Sequence, residues 1–192
     1  MSSSMAPISR CAWAGDKPEM IAYHDAEWGV PVHDDRILFE FLTLEAAQAG
    51  LSWLTVLRKR QGYRAAFANF EPEKVACFDT HHIEALMNNP NIIRNRAKIS
   101  AAISNARCFL EVQAEFGRFE HYLWAFVNGQ PRVNRPHTMA DVVATSAESD
   151  ALAKDLKRRG FKFLGSTVMY AHLQATGMVN DHLVSCFRQA EV

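Results

Sequence analysis

Apolar residues in this chain recur at three- and four-residue spacing, and Gly, Pro and Asn interrupt the recurrence at short intervals. Leu38, Phe41 and Leu42 make one stripe. Ile99, Ile103, Ala106 and Leu110 make a second, and Phe119, Leu123, Phe126 and Val127 a third. That spacing puts side chains on one face of a helix. No segment alternates apolar and polar residues for long enough to form a sheet. The chain is therefore expected to be all-α, built from many short helices. A hydrophobic content of 48% and a length of 192 residues suit one domain, placed at 11–192.

Start and stop signals set the expected helices. One runs from Pro18 to Ala26. A second follows the cap candidates Asp34 and Asp35 and ends at Gly50. Ser52 caps a third, Trp53 to Arg60, which Gly62 stops, and a short piece spans Tyr63 to Phe70. Pro72 opens a helix through Phe78, and His82 to Asn89 is another. A long helix reaches Phe116, followed by Phe119 to Asn128. Positions 129–146 read as an irregular loop. Ser149 and Ser166 cap helices that end before Gly160 and Gly177, and a last helix runs from about Asn180 to Phe187.

Several function classes drop out early. Lys and Arg total 21 against 21 Asp and Glu, so there is no global basic field and any nucleic-acid contact must come from a local patch. No apolar run approaches the roughly 20 residues of a membrane span. Residues 1–10 lack the apolar core of a signal peptide and read as a disordered polar leader. The four cysteines are too few for a disulfide scaffold, which fits a reducing cytoplasm. Cys77 and Cys108, with no histidine nearby, are expected in the core.

Glu45 falls on the Leu38, Phe41, Leu42 stripe at the i+7 position, where a core residue belongs. A carboxylate there is costly unless paired. Either it ends the stripe and turns to solvent, or it lines a site. At the chain ends, His182 and Cys186 stand at i and i+4, one helix face, and Cys11 and His24 can supply a second pair. Cys2His2 is a closed tetrahedral zinc set, so such a metal would be structural. A buried cysteine beside an unrelated histidine is the plain alternative. Between them, 82–112 reads as two helices around the turn Asn88-Asn89-Pro90-Asn91, with Arg94, Arg96 and Lys98 at the second helix start. Free amides and cations there can bind phosphate. A solvated face is the alternative.

Two motifs tie these pieces together: Tyr23-His24-Asp25-x-Glu27-Trp28-Gly29-Val30-Pro31 and Leu44-Glu45-x-x-Gln48-Ala49-Gly50-Leu51-Ser52-Trp53. Lys157-x-Arg159-Gly160-Phe161-Lys162-Phe163 and Val179-Asn180-Asp181-His182 follow. From Cys11 to Cys186 the sequence resembles the bacterial 3-methyladenine-DNA glycosylase I family. The resemblance implies a helix–hairpin–helix glycosylase fold with one structural Zn2+ on Cys11, His24, His182 and Cys186. It implies a flipped base among Trp13, Tyr23, Glu45 and Trp53, with Trp28 close by. Leu51 would fill the gap in the duplex, aided by Gly50, and Gln48 would meet the opposing strand or cap a backbone group.

Met20 departs from a tyrosine usual in such pockets and is given no binding role, and the hairpin lacks the usual glycine. The implied activity is excision of 3-methyladenine from alkylated double-stranded DNA by a cytoplasmic, DNA-associated monomer that needs no membrane, with Glu45 the recognition and candidate catalytic residue. A zinc-stapled lesion binder without turnover is the alternative.

Overall fold

A computed structural model describes residues 8–192. Nine α-helices occur among the described residues: α1 (Pro18–Ala26), α2 (Asp35–Gln48), α3 (Trp53–Ala66), α4 (Pro72–Ala76), α5 (Thr80–Met87), α6 (Arg96–Phe116), α7 (Phe119–Trp124), α8 (Ala147–Arg158) and α9 (Ser166–Ala175). The expected all-α class holds, with one small departure. Strands β1 (Arg132–Val133) and β2 (Val179–Asn180) pair in parallel, Arg132 opposite Val179 and Val133 opposite Asn180. Two residues each are too few to show in a periodicity.

The centre of the fold is α2. Every residue from Leu38 to Ala47 is buried, because the helix packs on α3, α6, α7 and α9. A helix covered on all sides is apolar around most of its circumference. One of its buried carboxylates is matched. Glu40, 1% exposed, accepts from Arg60 Nε at 2.6 Å and Arg64 Nε at 2.9 Å. Asp34 caps the helix by accepting from the Ile37 amide. Asp35 reaches outward instead and accepts from the Phe119 and Glu120 amides, capping α7 from a distance.

Several expected boundaries move for identifiable reasons. Helix α3 runs through Gly62. A mid-helix glycine costs about 1 kcal/mol against alanine. Here it allows close approach, since a Cβ at position 62 would lie 2.2 Å from the Asn91 carbonyl oxygen. Ser146, not Ser149, caps α8, and Ser149 closes a capping box three residues on. Gly165 takes the N-cap of α9 and frees the Ser166 hydroxyl to donate to Asp150. Cys77 is exposed and Cys108 half-buried, so neither is a full core residue.

The last expected helix does not form. After β2, the His182 amide donates to Asn180 Oδ1 and the Val184 amide to the Pro136 carbonyl, so the i−4 pattern never starts. Only a short 3-10 turn, Phe187–Ala190, follows. At the other end, the leader reading for residues 1–7 lies outside the described residues. Residues 9 and 10 are tied down: the Phe187 amide donates to the Ser9 carbonyl, and Arg10 pairs with Asp25 at 2.6 Å.

Candidate active site

Cys11, His24, His182 and Cys186 converge, all buried, with their four ligand atoms within 4.8 Å of one another. The helix assumed for His182 and Cys186 is absent, yet their Nδ1 and Sγ atoms sit 3.5 Å apart. Cys11 Sγ to His182 Nδ1 is 3.6 Å and Cys186 Sγ to His24 Nε2 is 3.5 Å. Tetrahedral bonds of about 2.3 Å to sulfur and about 2.0 Å to nitrogen would set such edges near 3.5 Å. The donor set therefore fits a metal ion.

The surroundings fit as well. His182 Nε2 faces the Trp28 carbonyl at 3.1 Å, and His24 Nδ1 faces Asp25 at 2.7 Å, so each ring presents its other nitrogen to the centre. The Leu183 amide donates to Cys11 Sγ. Burial holds the His182 imidazole down to about 4 and so neutral, the form that ligates. Burial first, and the neighbouring Cys186 after it, push the Cys11 thiol up to about 12, a cost that a bound cation offsets.

A cavity of about 340 Å³ lies against this cluster. Trp13, Tyr23, Trp28, Glu45, Gln48 and Trp53 all line it, so it gathers the residues assigned to base binding. The ligands place three of its walls. Trp13 follows Cys11 by two positions on a 3-10 turn, Tyr23 directly precedes His24 on α1, and Asp181 directly precedes His182. Trp28 serves both sides, edge-on to His182 at 4.5 Å and to Trp13 at 4.9 Å while lining the cavity. Tyr23 and Trp53 tilt toward each other at 5.4 Å.

Glu45 projects from α2 into this aromatic space and is 5% exposed. Among the described residues no cation or hydrogen-bond donor meets it, and burial alone pushes its carboxyl up to about 8. The reading in which Glu45 ends the stripe and turns to solvent fails. The same burial, with Glu45 as a second cause, holds the Tyr23 phenol well above its usual value. An acid kept neutral in an apolar cavity is poised to ionise when a cation enters.

Sequence reasoning missed part of the wall: Met20, Met139, Val142, Ala171, Gln174 and Asp181 also line the cavity. Met20 takes its place despite being given no role. Met139 and Val142 come from the irregular 129–146 segment, whose course only the tertiary structure decides. Asp181, 2% exposed, accepts from Tyr170 (2.6 Å), Asn134 (2.7 Å) and Gln174 (2.8 Å). A carboxylate only accepts, so Gln174 must turn its amide nitrogen toward Asp181. The available signal was the position of Asp181 beside a metal ligand.

Beyond the cavity, α2 ends at Gln48 and the chain turns at Ala49, Gly50 and Leu51. Gly50 has φ +80°, and Leu51 is 38% exposed. Gln48 Nε2 donates to the Leu51 carbonyl at 2.7 Å, so here it caps the backbone. The cations of α5–turn–α6 differ from one another. Arg94 is exposed, Arg96 pairs with Glu84 at 2.7 Å, and Lys98 bonds carbonyls of the α2 end.

The profile of the methyladenine glycosylase family matches residues 13–189. DNA-3-methyladenine glycosylase 1 of Escherichia coli (strain K12) is 49% identical over 93% of this chain and 96% of its own length. DNA-3-methyladenine glycosylase of Haemophilus influenzae (strain ATCC 51907 / DSM 11121 / KW20 / Rd) is 45% identical, with 93% and 96% covered. A solved structure describing 3-methyladenine recognition by 3-methyladenine DNA glycosylase I of Staphylococcus aureus superposes with a TM-score of 0.92. That structure is 38% identical, over 96% of this chain and 98% of that one.

Proposed function

The chain belongs to the methyladenine glycosylase family, and on that footing we propose that it removes 3-methyladenine from alkylated DNA by hydrolysing the glycosidic bond. The carrying observation is an unpaired, buried carboxylate in an aromatic cavity large enough for one purine. An N3-methylated adenine in DNA is cationic. Aromatic faces at Trp13, Tyr23 and Trp53 attract such a ring. Glu45 supplies a countercharge free to pair with the cation, since the Asp181 carboxylate already holds three donors.

Such a base must leave the stack to reach the cavity. Its C1′–N9 bond is already weakened by the ring charge. As that bond breaks, the electron pair stays on the purine, which departs as neutral 3-methyladenine. Water adds its oxygen to C1′ and gives up a proton, leaving an abasic site. Glu45 acts by holding the cationic base in place, and Leu51 fills the gap left in the duplex. Arg94 and the α5–turn–α6 hairpin bind phosphate, as a helix–hairpin–helix. The protein works as one domain and a monomer in the cytoplasm.

Cys11, His24, His182 and Cys186 would hold one zinc ion. Two thiolates and two imidazoles would complete a tetrahedral set, so a bound ion would cross-link the segment before α1 to the segment after β2. The residues of the cluster then fix Trp13, Tyr23 and Asp181 in the cavity wall.

The test is release of free bases from methylated duplex DNA. The protein should liberate 3-methyladenine, with Glu45→Gln at least 10-fold slower. Tight binding to the lesion with no release above that variant would favour the non-catalytic binder.

A further inference from the structure

Arg94, Arg96 and Lys98 cluster at the start of α6, and Lys98 turns back onto the end of α2. Lys98 is the third residue of α6, and its own amide is capped by Asn95 Oδ1 at 3.1 Å. Its ammonium crosses to the end of α2 and donates to the Ala47 carbonyl at 2.9 Å and the Ala49 carbonyl at 2.6 Å. Those carbonyls belong to the last turn of a helix, where acceptors lack intrahelical partners and the dipole favours a cation.

The turn that follows is otherwise lightly held. The Leu51 amide donates to the Gln48 carbonyl, and the Gln48 side chain donates to the Leu51 carbonyl, both at 2.7 Å. Both bonds are internal to the turn. A Cβ built on Gly50 would meet nothing within 4 Å, so no neighbouring element presses on that position. Among the described residues, the Lys98 contact is the polar link from the hairpin to this turn. Burial also lowers the Lys98 ammonium below its usual range, as expected for a cation withdrawn from water.

We infer that Lys98 is a positioning residue that clasps the C-terminal end of α2 and holds the Gly50–Leu51 turn out for insertion into duplex DNA. The inference rests on Leu51 as the residue that enters the duplex. It removes Lys98 from the phosphate contacts and makes the hairpin set the wedge. A hairpin seated on the backbone and a wedge locked to that hairpin reach the duplex as one unit.

The experiment measures binding to duplex DNA carrying a tetrahydrofuran abasic analogue, over a range of KCl concentrations, for the full chain and for Lys98→Met, Leu51→Ala, Arg94→Ala and the Lys98→Met/Leu51→Ala double variant. Binding of free 3-methyladenine, read by tryptophan fluorescence, monitors the intact cavity. Lys98→Met is expected to bind the duplex about 10-fold more weakly, with free-base binding within 2-fold of the parent. Its slope of log Kd against log salt should match the parent's, whereas losing a phosphate contact lowers that slope by about 1, as expected for Arg94→Ala.

The double variant should bind no more weakly than Leu51→Ala, because both changes remove one function. Lys98→Gln should repeat the pattern at smaller size. A slope lowered by about 1 in Lys98→Met, or additive losses in the double variant, overturns the clasp. Parent-like duplex binding by Leu51→Ala overturns the wedge reading itself, and that outcome is seen without reference to Lys98.

Discussion

Glu45 is protonated near neutral pH because the cavity offers it nothing to bind, and that has two measurable consequences. Its carboxyl is held up to about 8, against 4.5 in the unfolded chain. Between these values the native state keeps a proton that the unfolded state has lost, so stability falls as pH rises through this window. The stability from burying the neutral acid is complete below pH 4.5 and gone above about 8. At about 1.4 kcal/mol per unit, the loss is on the order of 5 kcal/mol.

Glu45→Gln cannot ionise, so its melting temperature should gain on the parent steadily from pH 5 to pH 8 and then level off. Parallel melting curves would contradict this. The second consequence is kinetic. Pairing with a cationic base needs the carboxylate, so kcat/KM on methylated DNA should climb through pH 8 in the parent and stay flat in Glu45→Gln. Residue-level reading of the sequence found Glu45 because a carboxylate broke an apolar stripe. It did not find Asp181, whose neighbours come from two distant stretches of chain, Asn134 from the 129–146 segment and Tyr170 and Gln174 from α9.

At the scale of elements, α3 and the hairpin turn are fitted to each other along one face. Lys59 donates to the Pro90 carbonyl at 2.8 Å, and Tyr63 accepts from the Ile93 amide at 3.3 Å. Gly62, on the same face, lets the Asn91 carbonyl lie against the helix backbone. Gly62→Ala sets two effects in opposition. Helix propensity would gain about 1 kcal/mol. Overpacking against a backbone carbonyl costs about 1–3 kcal/mol, and a 2.2 Å contact belongs at the high end.

The net expectation is destabilisation of about 1–2 kcal/mol, read as a lower urea midpoint, with weaker duplex binding if the hairpin shifts. A more stable variant would show that the turn yields freely. The element-level signal misled here because glycine inside a helical pattern has two meanings. It ends a helix when the next residues cannot continue it, and it continues one when another backbone needs the space. Only the partner segment distinguishes them.

For the whole molecule, the Cys11, His24, His182 and Cys186 cluster acts as the back plate of the cavity. It joins the segment before α1 to the segment after β2, and each side carries cavity residues next to ligands. Metal analysis should give about one zinc per chain for a Cys2His2 site. Removing it with a strong chelator, or substituting His182→Ala, should lower the melting temperature by several degrees. Free 3-methyladenine binding should weaken at the same time, because Trp13, Tyr23 and Asp181 lose their anchor. Unchanged melting and binding in metal-depleted protein would separate the cluster from the cavity.

Beyond what the family resemblance implied for the ligand set and the aromatic wall, the sequence by itself determined the helical class, the position of α1 and α2 and the break that Glu45 makes in an apolar stripe. Those features are written in local spacing and in residue chemistry, which do not depend on what packs nearby. Tertiary structure decided the rest. It unwound the segment after Asn180 while keeping His182 and Cys186 together, since the Val184 amide donates to the distant Pro136 carbonyl and not to an i−4 partner. It brought Met139, Val142, Gln174 and Asp181 to the cavity, and it turned Lys98 from the solvent to the end of α2. Each of these turns on a contact between residues far apart in the chain, and the energy of such a contact leaves no mark on the spacing of either partner.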